Sequence, residues 1–564
     1  MGPGLVKPLR QQAIGGEHST GGRFFRKFRG MLLPVVVREL QVRSRASGTH
    51  YVRMAAVAAL ALVWATMFQT FGRGGASGAS GRIGLEVLSS LLLMYALVEG
   101  VRTSAGGISE ERREGTLGLL FLTDLSGLDV LLGKMSGAAI QGFCSLVAVV
   151  PVLAVAVLFG GVSGSELVRM VVALSAVLAL SLACGSWSST RPWDGMVAML
   201  AAMGVLLLHC LLPLLLDLLL SLGGVITVFP RFSVLGLASP LCSVALIPDP
   251  PAGGGTSRFW ISSALLFGQA LLWILLAGWR LQKGWRHAGL DLTGGEGGGG
   301  VVRTAPSTKS ADALGWAVSR HLNLPRWSRL LVLITFVHAA GTAGMNFAAT
   351  WLPSYGPLMQ LPLGMISLTR MFLIIWQATR ALGDWHRGGE LEILLTTTAG
   401  ERDLVLQVWN QFRSVLVRVI LVDVLTSGLL TGAMVALTNS ISPAPILPNW
   451  FLVFHWASQE LVEIAQFLAM VWVGFWMGLC SRKTGSAVGK TFGVVVVSSF
   501  ALTMLVQIAM SHWMEQTQWM GQWGFVIPLM SFTASECGLS LVWVRWARHR
   551  LFVRLRPVAC GTGT

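Results

Sequence analysis

Residues Ile108–Lys134 read ISEERREGTLGLLFLTDLSGLDVLLGK, and residues Leu382–Val408 read LGDWHRGGELEILLTTTAGERDLVLQV. They align without a gap: Gly115 meets Gly389, Leu117 meets Leu391, Leu120 meets Leu394, Thr123 meets Thr397 and Asp129 meets Asp403. Each segment follows the second long apolar stretch of its half of the chain. Recurrence at that place marks two copies of one unit. The end of the fourth apolar stretch recurs as well, as CGSWSSTRP from Cys184 and GLCSRKTGS from Gly478. Glu166 and Glu460 open those fourth stretches at nearly matching places.

Outward from this pair, the 564-residue chain is 53% hydrophobic and only 12% charged. A soluble domain is nearer a quarter charged, so the bilayer is the expected solvent. Stretches this apolar satisfy their backbone groups internally as helices, and the alternation of an outer-membrane barrel is not visible. The first half gives spans at about 52–71, 85–105, 135–160, 166–190, 195–221 and 259–281. The second gives 328–347, 359–380, 409–437, 451–480, 490–511 and 524–546. The fold class is therefore an all-α integral membrane protein of about twelve spans in two parallel six-helix repeats. Its expected parts are an N-terminal tail over 1–30, a first repeat over 31–286, a Gly-rich linker over 287–312, a second repeat over 313–550 and a basic tail over 551–564.

Charge sets the orientation. Arg112, Arg113, Lys134, Arg191, Arg280, Lys283, Arg380, Arg387, Arg402, Arg482 and Lys483 fall in alternate loops, whereas 348–358 and 438–450 hold no Lys or Arg. By the positive-inside rule both termini are cytoplasmic and the protein sits in the inner membrane. The net charge of +16 is explained by these loops rather than by nucleic-acid binding. The basic N-terminus lacks the apolar core and cleavage site of a signal peptide. The outer segment 222–258 holds five prolines and is expected to pack as short elements. Seven scattered Cys form no C-x-x-C pair, which argues against a disulfide framework or zinc site.

Glu110, Glu111, Arg112, Arg113 and Glu114 make a dense mixed-charge cluster where span two leaves the membrane; Gly115 allows a turn, and Leu117, Leu120 and Leu125 form an apolar stripe. This pattern predicts a short surface helix that displays charge to a partner. The string E-R-x-E-G-T-L-x-x-L-x-x-T-D-L, followed by an apolar run and Gly133-Lys134, resembles the signature of type 2 ABC transporter permeases. So does the stretch Met31–Arg45, in which Arg38, Glu39, Arg43 and Arg45 alternate with Val35, Val36, Leu40 and Val42. The resemblance spans about 30–285 and 315–550 and is degenerate in the second half, where Gly388 stands for Glu114, Glu390 for Thr116 and Val408 for Lys134.

The resemblance implies an exporter whose two six-helix halves rock about a central path. Separate ATPase subunits, two of them, would hold ATP and magnesium, while this chain binds no cofactor or metal and touches membrane lipid. Coupling would run through Glu110, Glu111, Arg112, Arg113, Glu114, Gly115, Thr116 and Leu117 in the first half, and through Asp384, Gly389, Glu390, Leu391 and Glu392 in the second. The Met31–Arg45 helix would transmit the motion.

GSAVGKT, Gly485–Thr491, lacks the first Gly of a phosphate loop and has no preceding buried strand. No other stretch is long and polar enough for an ATPase domain. Ionisable residues inside spans are costly and mark candidates for function: Glu99 with Arg102, His209, Asp217, Arg370, Asp423, and Glu460 with Glu463. Glu99 and Arg102 share a helix face. His209 and Asp217 stand too far apart to touch, and Glu460 and Glu463 are expected near the outer boundary. Of the 22 Trp residues, Trp260, Trp351, Trp450, Trp519 and Trp523 fall at outer boundaries, as an aromatic belt requires. An ion-coupled secondary transporter and a membrane enzyme acting on lipid-linked substrates are the alternatives. The first should show polar residues at mid-membrane; the second needs a convergent polar site.

Overall fold

The computed structural model describes residues 36–38, 40–41, 53–54, 56–65, 77–113, 117, 126–158, 162–193, 195–222, 235–247, 255–291, 324–351, 356–396, 400–441, 449–517 and 526–559. The regular secondary structure of these residues is helical throughout. The first half contains α1 (Ser77–Ser104), α2 (Gly107–Arg113), α3 (Gly127–Val147), α4 (Val150–Leu158), α5 (Gly164–Ser189), α6 (Gly195–Leu222), α7 (Pro240–Ala245) and α8 (Gly255–Asp291). The second contains α9 (Leu324–Trp351), α10 (Gly356–Arg387), α11 (Glu390–Thr396), α12 (Glu401–Ile441), α13 (Asn449–Cys480), α14 (Thr484–Phe492), α15 (Ser498–Thr517) and α16 (Val526–Ala559).

Nine stretches among the described residues are long and apolar enough to cross a membrane. They cover the predicted spans at 85–105, 135–160, 166–190, 195–221, 259–281, 409–437, 451–480, 490–511 and 524–546. The predicted spans 328–347 and 359–380 fall on the long helices α9 and α10, and 52–71 holds the shorter apolar helix Ala56–Ala65.

Helix starts follow local chemistry. Ser126 accepts from the Asp129 backbone and Asp129 reaches back, a capping box that begins α3 eight residues ahead of the expected span. Ser163 and Glu166 do the same for α5. Glu166 is therefore a cap, whereas Glu460 lies well inside α13, so the two do not open matching helices. Gly485–Thr491 lies in helix α14, which follows α13 directly; it is not a strand–loop–helix cradle.

Lipid tails are as apolar as leucine, so helix association rests on close packing by small residues. Both halves use this device for the same pair. In the first half α1 lies on α5 through Gly100 against Ser181 and Ser104 against Gly185. In the second, α10 lies on α13 through Ala378 against Gly474 and Thr379 against Gly478. The Ser181 hydroxyl also donates to the Ala96 carbonyl across the first pair, at 3.0 Å.

Two apolar cores result. One gathers α1, α3, α5, α6 and α8 around Leu92, Leu97, Leu131, Met170 and Phe259. The other gathers α10, α12, α13 and α16 around Trp376, Trp472, Phe467 and Phe475. Tryptophan thus builds this second core besides standing half exposed at Trp260 and Trp450. Part of the predicted outer segment is tucked in: α7 and the turn Gly236–Ala238 are buried, Ser239 donating to the Cys210 carbonyl of α6 and Ser262 of α8 to the Leu237 carbonyl. At the far end the basic stretch after 550 continues α16 to Ala559 rather than forming a separate tail. Most of the expected Met31–Arg45 helix and of the 287–312 linker lies outside the described residues.

Candidate functional site

Both repeated segments stand at one end of the bundle, where Arg112, Lys134, Arg380, Arg387, Lys483 and Lys490 make their contacts. In the first, α2 follows α1 after a two-residue turn. Glu111 is buried and accepts from Lys134 Nζ at 2.6 Å, which ties α2 to α3. Arg112 donates to the Thr190 carbonyl at the end of α5, at 2.9 Å. Leu117 is buried, as its stripe predicts. Glu114, Gly115, Thr116 and the Arg113 side chain lie outside the described residues.

The second segment is described almost throughout. Asp384 accepts from Arg380 Nε at 2.7 Å and from Arg387 at 2.6 Å. Burial alone would raise the Asp384 carboxyl, but the two guanidinium hydrogen bonds outweigh it and hold the group below the usual carboxylate range. Arg387 also donates to the Ser481 carbonyl at the end of α13, at 3.2 Å. Arg112 on α5 and Arg387 on α13 thus cap the same helix in the two halves, satisfying carbonyls left open there. Gly389 then turns the chain with φ of +74°, a left-handed conformation that favours glycine. Leu391 and Leu395 of α11 are buried, while Glu390 and Glu392 are exposed and Ile393 is 68% exposed.

The segments are joined across the halves. Lys483, just before α14, donates to Glu110 of α2 at 2.7 Å. Since Arg387 reaches Ser481, two residues from Lys483, the regions of Glu110 and of Gly389 share one face of the bundle.

The intramembrane candidates separate into three groups. Glu99 and Arg102 form the expected pair on α1, with two hydrogen bonds of 2.8 Å each. His209 and Asp217 do not meet. His209 lies 2.9 Å from the Val205 carbonyl and accepts from Trp273 Nε1 at 3.1 Å. An indole N–H only donates, so His209 is the neutral form with its proton on Nδ1.

The third group was legible only as single residues. Arg370 is 0% exposed and stands between Asp423 of α12 and Glu463 of α13, each at 2.7 Å. Its guanidinium also lies 5.0 Å from the Phe467 ring centroid. One turn from Glu463, Glu460 lies 2.6 Å from the Ser427 hydroxyl of α12. Glu463 therefore sits near the middle of its span, Trp450–Cys480, and not at the outer boundary. The reason is that α13 begins at Asn449 and runs unbroken past both carboxylates. Carried back along the helices, the repeat alignment sets Arg370 opposite Ala96, Asp423 opposite Val149 and Glu463 opposite Arg169, so the acidic members of the cluster have no counterpart in the first half.

Length, apolarity and this arrangement define a multi-pass helical membrane protein. No family model matches the chain, and no curated protein does. Among solved structures it aligns with an outward-facing multidrug resistance MATE family transporter of the MOP superfamily. The alignment has 11% identity and a TM-score of 0.33 and covers 96% of this chain and 100% of that one; similarity at that level carries no argument about fold or activity.

Proposed function

We propose that the chain is the membrane-spanning permease of an ATP-driven exporter of the type 2 ABC class, built from two six-helix repeats and worked from its cytoplasmic face by two separate ATPase subunits. The observation that supports this reading is the shared face: both signature segments stand at the basic end and are linked by Glu110 and Lys483. Each segment is also fixed by an arginine to the end of the helix packed against it. A push on α2 or α11 would pass straight into the α1–α5 or α10–α13 pair, whose close packing transmits displacement rather than absorbing it. On this reading α11 is the contact element, with Leu391 and Leu395 as its anchor and Ile393, Glu390 and Glu392 as its docking surface. The permease itself has no catalytic role; ATP and magnesium stay on the partner.

The test is capture of the ATPase by the chain carrying Glu390→Lys, Glu392→Lys and Ile393→Ser. These side chains are exposed, so the fold should be kept and the partner lost. Undiminished capture would refute the docking role. Glu111 is unsuitable as a probe, because reversing it strands Lys134.

A second reading, an ion-coupled transporter, is favoured by one observation: the charge cluster of Arg370, Asp423, Glu463 and Glu460 at mid-span. Transport that survives loss of the ATPase but collapses with the ion gradient would select it.

A further inference from the structure

Ser427 sits at the centre of a hydrogen-bond arrangement that its single proton cannot serve alone. Its Oγ lies 2.7 Å from the Asp423 carbonyl, 2.6 Å from Glu460 Oε1 and 3.0 Å from Trp456 Nε1. A serine hydroxyl has one hydrogen and two lone pairs. The indole N–H can only give a hydrogen to Oγ, and the backbone carbonyl can only receive one from it. With the hydroxyl hydrogen on the carbonyl, a short contact to an ionised Glu460 would bring two lone pairs together. All three contacts are hydrogen bonds if Glu460 is the donor: Trp456 and Glu460 give to Oγ, and Oγ gives to the Asp423 carbonyl.

The charge count points the same way. Arg370 is the one cation facing the cluster among the described residues, and Asp423 and Glu463 already share it. Glu460 forms no ion pair there, and its backbone lies within the span Trp450–Cys480. An unpaired carboxylate inside a span is costly, and protonation removes the cost.

We propose that Glu460 is a proton-binding site within the membrane span, protonated at neutral pH and donating to Ser427. The groups that face it are few. Arg370 comes from α10, Asp423 from α12, and Glu463 from α13 itself. His338 of α9 is buried and interacts with Arg370 and Asp423. Glu536 of α16 is held by Gln466 of α13 and Thr503 of α15. Lys490 of α14 is turned away to Ser481 at the basic end. Release of the proton to water would leave a third carboxylate beside one guanidinium. It would also turn the Ser427 hydroxyl from the Asp423 carbonyl toward Glu460. Since Trp456 packs on Gly428 at the same place, the α12–α13 contact would change with protonation. The inference stands without the ATPase assignment; it supplies the ion for the second reading and leaves the first intact.

The experiment is infrared spectroscopy of the full chain in lipid nanodiscs while pH is stepped upward. A carboxylic C=O stretch should be present at neutral pH, shift in deuterated buffer and fade on alkalinisation. Glu460→Gln should abolish it. Asp423→Asn and Glu463→Gln should retain it, with its loss moved to lower pH because each removes negative charge nearby and so eases ionisation of Glu460. Absence of the band at neutral pH, or its persistence in Glu460→Gln, would overturn the proposal. If Glu460→Gln is not monodisperse, Ser427→Ala decides: removing the acceptor should move the band to higher frequency, and an unmoved band overturns the assignment. ATPase capture through α11 is measured separately, so the two readings fail independently.

Discussion

Gly478 shows how much a single hydrogen atom in place of a side chain decides here. A Cβ at this position would overlap the Thr379 carbonyl and backbone. Gly478→Ala should therefore lower the thermal midpoint in detergent, by about 1–3 kcal/mol of overpacking. Gly204→Ala is the control. Nothing lies within 4 Å of its Cβ, so it should hold or raise the midpoint. Asp384 makes a prediction in pH. Its folded carboxyl is depressed, so its contribution is present above the unfolded value of about 3.9 and is lost as pH falls through the lower folded value. Asp384→Asn should melt below the wild type at neutral pH, and the gap should close in strong acid. With the side chain 23% exposed, the difference will be modest. A constant gap across pH would refute the assignment of the pair as its source.

At the scale of elements, α11 depends on the turn before it. Gly389 is left-handed, and a β-branched residue there carries a cost of about 1–2 kcal/mol. Gly389→Val should lower the melting temperature and weaken ATPase capture, whereas Gly485→Ala, with open space around it, should do neither. The elements were largely legible in the sequence, because a span is announced by its own composition. Their starts were less so. The boxes Ser126–Asp129 and Ser163–Glu166 were there to be read, but the apolar run of span three drew its start later than the cap. The segments around Gly115 and Gly389 were legible as a repeat, because their residues align without a gap. The charge cluster was not legible as a site. Arg370 is 53 residues from Asp423 and 93 from Glu463, and no local pattern specifies which faces of three helices meet. The role of Arg112 and Arg387 as caps on the neighbouring helix was missed for the same reason.

For the whole molecule, the two cores are bridged at the basic face by Glu110 and Lys483, whose side chains are 56% and 75% exposed. Such a pair adds little stability, so it reports on the separation of the halves without locking them. Spin labels at Glu110→Cys and Lys483→Cys should give one short distance in the chain alone and a longer population once ATPase and ATP are added. An unchanged distance would contradict rocking of one half against the other. The uneven placement of the buried ions has an electrical consequence. Arg370, Asp423 and Glu463 place charge-bearing side chains deep in the second half, while the aligned positions in the first half are Ala96, Val149 and Arg169. A membrane potential does work on a displaced charge, about 2.3 kcal/mol for a full crossing at 100 mV. Voltage therefore acts on any movement of α10, α12 and α13 along the membrane normal that carries these side chains with it.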